Sequence, residues 1–180
     1  MIRFRASHLA AIVALFACSV DARDSSGARG DAFNTTVRVA GSGVDQLNTA
    51  IVHSQEFTLT GMIQKSTEIV ELTGDLKGRV LYHVTSVFDF AAGTLVNTGD
   101  QVYSGTIAGS APVLIHDDRF RFDVNLVTGA EAGQVYFFNH IAGPAVKCQL
   151  DVVGTGVTAE GNPTFDYKGS CTFSGPRKRL

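Results

Sequence analysis

Apolar and polar residues alternate along most of the chain, and this two-residue period constrains the fold more than any other feature. Segment 79–90 carries an apolar set on one face, and segment 119–126 repeats the pattern with charged residues opposite. Successive side chains of a β-strand point to opposite sides, so the period indicates strands with one buried face. The apolar positions are Val80, Tyr82, Val84, Phe88 and Phe90 in the first segment, and Phe120, Phe122, Val124 and Leu126 in the second.

About ten strands are predicted, separated by turn-forming pairs such as Gly74-Asp75 and Gly143-Pro144. No helical segment separates them, so we expect an all-β fold with antiparallel connections. A single calycin-like barrel of about eight strands is preferred, with a sandwich as the alternative, because closure leaves no exposed edge. The candidate strands are 35–40, 55–63, 67–73, 79–90, 101–108, 111–116, 119–126, 134–141, 146–154 and 164–173. For the segment from Val44 to His53 the sequence allows two interpretations, a short helix with Ser42 as its N-cap or a loop.

Cys148 and Cys171 each lie on the apolar face of a predicted strand. An antiparallel hairpin that sets them opposite one another leaves 155–164 as a loop rich in turn formers. After removal of an N-terminal signal segment these are the only two cysteines, and an even count in an exported chain predicts a disulfide between them. The same register pairs Leu150 with Gly169, Val152 with Tyr167 and Gly154 with Phe165, which sets glycine beside aromatic residues.

The N-terminus has the organisation of an export signal. Arg3 and Arg5 precede an apolar run, Leu9 to Ala17, which is too short to span a bilayer. We predict a signal segment over 1–22, a polar leader over 23–32, the barrel domain over 33–175 and a basic tail over 176–180. The protein is expected to be secreted or periplasmic. As an alternative, Leu15-Phe16-Ala17-Cys18 resembles a bacterial lipobox, in which Cys18 becomes a lipid anchor.

Composition excludes several function classes. The formal net charge is −2, so no basic field points to nucleic acid, and membrane contact is expected only through a lipid anchor. No G-x-S-x-G, P-loop, H-E-x-x-H or dinucleotide fingerprint is present, and we expect no cofactor. Whether the protein is an enzyme is left open.

A stretch of glycine turns carries a family resemblance. Gly74, Leu76 and Gly78 lead into a long strand, followed by Gly93-Thr94 and then by Ser104-Gly105-Thr106 with Gly109. This pattern resembles the barrel family of allene oxide cyclases, dirigent proteins and small bacterial relatives. The resemblance implies an eight-stranded barrel with a largely apolar cavity, assembly into homo-oligomers, and guidance of cyclisation by shape. It carries over no catalytic residue.

Several side chains are candidates for chemistry. Tyr82 lies on the inferred inward face, so its hydroxyl needs a partner or a ligand, and Phe88, Phe120 and Phe122 are the candidate apolar contacts. His116-Asp117-Asp118 has metal-type ligands, yet a polar turn is the preferred interpretation and no metal site is predicted. His83 with Asp89 could act as acid and base, but their face is expected to point outward. Glu56, Tyr103 and Tyr136 are further polar candidates.

Three hypotheses follow. The first is an exported barrel that binds a small apolar molecule in its interior. The second is a cofactor-free cyclase or isomerase, in which the cavity folds a reactive substrate. The third is a structural envelope protein with a filled barrel. The volume of the interior separates the third from the other two, since ligand pockets have roughly 300 Å³ or more.

Overall fold

The structure is a computed structural model that describes residues 32–176. The predicted signal segment, Cys18, the leader up to Asp31 and the basic residues from Arg177 onward lie outside the described residues. Within 32–176 the chain forms eleven antiparallel strands and one 3₁₀ turn at Leu47–Thr49. The strands are β1 (Ala32–Asp45), β2 (Ile51–Phe57), β3 (Gly61–Gly74), β4 (Leu76–Asp89), β5 (Thr94–Ile107), β6 (Val113–Asp117), β7 (Arg121–Asn125), β8 (Glu131–Phe137), β9 (Asn139–Ala142), β10 (Val146–Val157) and β11 (Pro163–Pro176).

Eight of these strands close into a barrel, which confirms the predicted fold class. The order around the wall is β1, β3, β4, β5, β7, β8, β10 and β11, and β11 pairs back onto β1. Three shorter strands extend this wall. β2 pairs with the part of β3 that β1 does not cover. β6 pairs with the part of β5 that follows its pairing with β7, and β9 pairs with the outer edge of β6.

The C-terminal hairpin has the predicted register. Cys148 lies opposite Cys171 and forms the predicted disulfide, and both cysteines are fully buried. The three other predicted pairs are also present, Leu150 with Gly169, Val152 with Tyr167 and Gly154 with Phe165. β10 continues to Val157, so the connecting turn is shorter than predicted.

The interior of the barrel has one densely packed end. This end holds the disulfide and a set of side chains with no exposed surface, and the first and last described residues, Ala32 and Pro176, also pair there. Tyr167 is buried between this core and the rest of the interior, and it links β11 to the β3–β4 turn. Its hydroxyl accepts a hydrogen bond from the Leu76 amide and donates one to the Thr73 carbonyl, each at 2.8 Å. The fully buried set is Leu76, Tyr103, Ile107, Ile115, Cys148 and Cys171.

Several predicted boundaries are wrong. The candidate strand 55–63 crosses a turn, in which Thr58 and Gly61 hydrogen-bond to each other between β2 and β3. For segment 44–53 a short helix and a loop were both left open, and the structure has a single 3₁₀ turn between β1 and β2. Ser42, the candidate helix cap, lies in β1, and its hydroxyl donates to Asp166. Phe90 was placed on the inward face, but it follows β4 and is 58% exposed.

The candidate strand 134–141 is two strands, and Asp117 explains the break. Its buried carboxylate accepts hydrogen bonds from the Tyr136 amide, the Arg119 amide and the Gln101 side chain. These bonds connect the end of β6 to Gln101 of β5, to Arg119 in the β6–β7 connection and to Tyr136 near the end of β8. β9 then leaves this line to pair with β6.

We predict that removing the disulfide by the double substitution Cys148→Ala and Cys171→Ala lowers the free energy of unfolding by about 3 kcal/mol. The bond closes a loop whose ends are 23 residues apart, and the loss of that closure raises the entropy of the unfolded chain. Denaturant titration of the oxidised protein and the variant measures the difference. Equal midpoints for the oxidised and chemically reduced wild-type protein would contradict the prediction.

We predict that Tyr167→Phe lowers the free energy of unfolding by about 1–3 kcal/mol, because it leaves the buried Leu76 amide and Thr73 carbonyl without this partner. Tyr136→Phe is the matched control. The hydroxyl of Tyr136 bonds only to the side chain of Gln134 at an exposed site, so this change should cost less than about 0.5 kcal/mol. Equal costs for the two variants, measured by denaturant titration, would argue against the role assigned to Tyr167.

A candidate ligand cavity with an acidic wall

A cavity of about 320 Å³ occupies the other end of the barrel. It lies at the end of the β4–β5, β7–β8 and β10–β11 turns, opposite to the packed end. Leu47 in the 3₁₀ turn lines the cavity and is 44% exposed, so the cavity meets solvent here. Asn162 ties this turn to the β10–β11 connection, because its side chain accepts from the Asn48 amide and donates to Gln46.

Most of the cavity wall is apolar. The alternation of each strand points one set of side chains inward, and aliphatic and aromatic residues dominate that set. The apolar lining residues are Leu47, Val70, Leu72, Val80, Tyr82, Phe88, Leu95, Phe122, Val124, Val135, Phe137, Leu150, Val152, Pro163, Phe165 and Tyr167.

Three carboxyl groups interrupt this apolar wall. Asp45 is the last residue of β1, Glu68 faces inward from β3, and Glu131 begins β8. Glu68 is buried, and one of its oxygens accepts a hydrogen bond from the Ser66 hydroxyl. The cavity wall contains no lysine, arginine or histidine within residues 32–176. These acids therefore face one another without a basic side chain between them.

Burial disfavours the charged forms of Asp45 and Glu131, and neighbouring negative charges add to the effect at Asp45. Burial, the negative charges of Glu68 and Glu131 and a hydrogen bond to Glu68 raise the pKa of Asp45 to about 8. Burial also raises the pKa of Glu131, and burial together with the three carboxyl groups raises the pKa of Tyr82. At neutral pH the site thus holds a proton on Asp45, next to Glu68.

Several polar atoms of the wall have no partner within residues 32–176. The hydroxyls of Tyr103, Tyr136 and Tyr167 all form hydrogen bonds, whereas that of Tyr82 forms none with the described part of the chain. Tyr82 is only 5% exposed, and Ser86, equally without a partner there, is 6% exposed. Asp45 Oδ1 and Asn97 Oδ1 are buried atoms without a hydrogen bond in the same range.

The predicted ligand contacts fall around this cavity. Tyr82, Phe88 and Phe122 line it, while Phe120 does not. Phe120 lies behind the wall, where its ring packs against that of Tyr82 at 4.7 Å between centroids. Phe120 therefore orients Tyr82, and contact of the other three with a ligand stays a prediction.

The other candidates lie outside the cavity. His83 is on the outer face and pairs with Asp100 at 3.1 Å, and His116 approaches the same carboxylate at 3.7 Å. The carboxylate of Asp117 is occupied by its three hydrogen bonds within the barrel wall, and Asp118 is exposed. No group of three acidic, histidine or cysteine residues in 32–176 is arranged to hold a metal ion. Glu56 is exposed on β2, and the hydroxyl of Tyr103 bonds to the Lys77 and Thr106 carbonyls.

Sequence reasoning missed the three acids. Glu68 shares the inward face of β3 with Val70 and Leu72, and this alternation is already present within the predicted strand 67–73. An acid on an otherwise apolar face was the signal that could have identified it. The positions of Asp45 and Glu131 depend on pairing between strands distant in sequence, so no local signal identifies them.

Comparisons of the chain with protein-family models, curated proteins and solved structures find no match. No helix within residues 32–176 has the length and apolar character needed to cross a membrane. The disulfide is consistent with folding in an oxidising compartment.

We predict that the protein loses stability as the pH rises from about 5 to about 8. Asp45 has a higher pKa in the folded state than its ordinary 3.8, so the native state binds more protons than the unfolded chain in this interval. The free energy of unfolding then falls with rising pH, by at most about 1.4 kcal/mol per pH unit for one proton.

Asp45→Asn should reduce this slope, with Glu131 retaining a smaller contribution of the same sign. Asp118→Asn at an exposed turn is the control and should leave the slope unchanged. Denaturant titrations across the interval give the slopes. A wild-type slope that Asp45→Asn leaves intact would contradict the assignment.

Proposed function

We propose that this protein binds a small, mainly apolar molecule inside its barrel. The observation that carries the proposal is the cavity of about 320 Å³ behind a largely apolar wall. Ligand pockets in proteins start at roughly this size and combine apolar walls with a few polar groups. The volume favours a ligand-binding role over the filled barrel of a structural envelope protein.

The cavity is supported by a rigid frame. The packed end carries the disulfide and the hydrogen bonds of Tyr167, and the wall is hydrogen-bonded around its full circumference. A preformed site loses little entropy on binding, because its side chains are ordered in advance. This arrangement suits a carrier or receptor for a small molecule.

A cofactor-free cyclase or isomerase is the second candidate. The observation that favours it is the placement of Asp45 and Glu68 on one cavity wall, where burial raises the pKa of Asp45 to about 8, since a carboxylic acid with a pKa near neutral can donate a proton and take it back. The resemblance of the glycine-turn segment to allene oxide cyclases and dirigent proteins points the same way. An enzyme would convert the molecule that a carrier returns unchanged, so analysis of the released ligand separates the two.

We place this function outside the cytoplasm. The predicted signal over 1–22 supports export, and the disulfide agrees with an oxidising compartment. Release after Ala22 gives a secreted or periplasmic protein, while modification of Cys18 gives a lipid-anchored one. Both described ends of the chain, Ala32 and Pro176, pair at the packed end of the barrel, away from the mouth. Homo-oligomers are expected from the family resemblance alone.

We predict that the neutral apolar fluorophore N-phenyl-1-naphthylamine binds in the cavity and that Val152→Trp weakens its binding about tenfold or more. Val152 lines the cavity and is buried, so a larger side chain fills the space that the probe needs. Fluorescence titration gives the dissociation constants.

Val153→Trp is the matched control, because Val153 is the next residue of β10, points outward and is 53% exposed. It should leave the affinity within about twofold, since it adds no atoms to the cavity. Circular dichroism checks the fold of each variant, and Leu95→Trp nearer the mouth is a second blocking variant. Binding that neither blocking variant reduces would place the probe elsewhere and contradict the proposal.

A further inference from the structure

The interior of the barrel is electrostatically one-sided. Asp45, Glu68 and Glu131 line it, and within residues 32–176 no basic side chain reaches the cavity. A buried carboxylate is costly unless it is paired or hydrogen-bonded. Charged groups on the protein surface avoid this cost because water solvates them. These three carboxyl groups, by contrast, lie in a largely apolar wall.

The cavity wall also presents hydrogen-bond acceptors that have no partner within residues 32–176. Asp45 Oδ1 and Asn97 Oδ1 are acceptors without a partner in the described range, and the carboxylates of Glu68 and Glu131 add more. Tyr82 and Ser86 are at least nine-tenths buried, line the cavity and have hydroxyls without a partner in 32–176. The side-chain amide of Gln101, a donor in the wall, is already bonded to Asp117. A ligand that satisfies the carboxylates and these two unpartnered acceptors must bring hydrogen-bond donors.

We propose that the natural ligand has an apolar body and a cationic, hydrogen-bond-donating head such as a protonated amine, which Asp45, Glu68 and Glu131 receive. The inference rests on the proposed ligand-binding function and specifies its ligand class. The apolar body lies toward Val80, Leu150 and Val152, deeper in the barrel. The head lies nearer the mouth, where β1 ends and β8 begins.

The chemistry of the site favours an organic cation over a metal ion. No three candidate ligands in 32–176 converge closely enough to coordinate one metal ion. An ammonium group makes several separate hydrogen bonds and tolerates wider spacing. Tyr82 and Phe122, whose rings are 6.3 Å apart, add aromatic surface next to the acids, and aromatic rings also attract organic cations.

The test compares three probes with the same eight-carbon chain: octylamine, octan-1-ol and octanoic acid. Each probe displaces N-phenyl-1-naphthylamine at pH 7.5, and competition gives its dissociation constant. We expect the amine to bind roughly tenfold to a hundredfold more tightly than the alcohol, the range for hydrogen bonds to charged groups. The acid should bind most weakly, because it adds a negative charge to an acidic cavity.

The double variant Asp45→Asn with Glu68→Gln should reduce the preference for the amine over the alcohol to about threefold or less. It removes repulsion between acids, so it should fold at least as well as the wild type. Glu71→Gln is the matched control on the same strand. Glu71 points outward and pairs with Arg79 at 2.8 Å, so the preference should remain.

A pH series gives an independent measurement. The amine stays protonated below about pH 10, so a change in its affinity between about pH 5.5 and about pH 8 reports the ionisation of the cavity, where the pKa values of Asp45 and Glu131 are raised. Asp45, Glu68 and Glu131 face one another from β1, β3 and β8, and Tyr82 and Tyr167 are the other titratable side chains that line the cavity. Amine affinity should rise over this interval, whereas that of the alcohol should stay constant.

The outcomes distinguish this inference from the function on which it rests. Equal affinities of amine and alcohol, or a preference that the double variant retains, overturn the inference and leave the binding function standing. The same holds when all three probes fail while N-phenyl-1-naphthylamine still binds. Failure of the fluorophore and of all three probes overturns the proposed function together with the inference.

Discussion

Closure of the barrel by β1 is the constraint on which the rest of the structure depends. β1 pairs with β11 from Ala32 to Val44, and its last five residues also pair with β3. Without this strand the sheet would expose two edges, and the cavity would lose a wall. The close pairing of Gly41 with Gly74 leaves room for the hydroxyl of Tyr167, which bonds to both flanks of the β3–β4 turn. Closure and packing are thus secured at the same place.

The same strand determines the chemistry of the interior. β1 ends at Asp45, and the chain then turns through the 3₁₀ segment to reach the edge of β3 as β2. Because β1 leaves the wall at Asp45, the side-chain carboxyl of this residue faces Glu68 and Glu131 in the cavity. The packed end, with its disulfide and buried tyrosines, supplies stability that the acidic end lacks. The packed core and the cavity therefore occupy opposite ends of one barrel.

The sequence predicted the features that depend on local patterns. The hairpin of β10 and β11 was predicted residue by residue, because alternation on both strands and the two cysteines allow only one consistent register. The inward position of Tyr82 was also predicted, because apolar and polar residues alternate along its strand. Features that depend on distant pairing were not predictable. Asp45 meets Glu68 only after closure, and Asp117 interrupts the line of β8 through a buried hydrogen bond that no local pattern announces.

The acidic interior has two ways to lower its energy, and they compete. A proton on Asp45 neutralises one charge and donates a hydrogen bond toward Glu68. A cationic ligand neutralises charge as well, and it also satisfies the free acceptors and covers the apolar wall. Because both act on the same carboxyl groups, entry of the cation favours release of the proton, and by linkage the proton opposes the cation. An apolar cavity without acids would bind hydrocarbon at any pH. In the proposed complex the carboxyl groups would instead make occupancy of the cavity depend on pH.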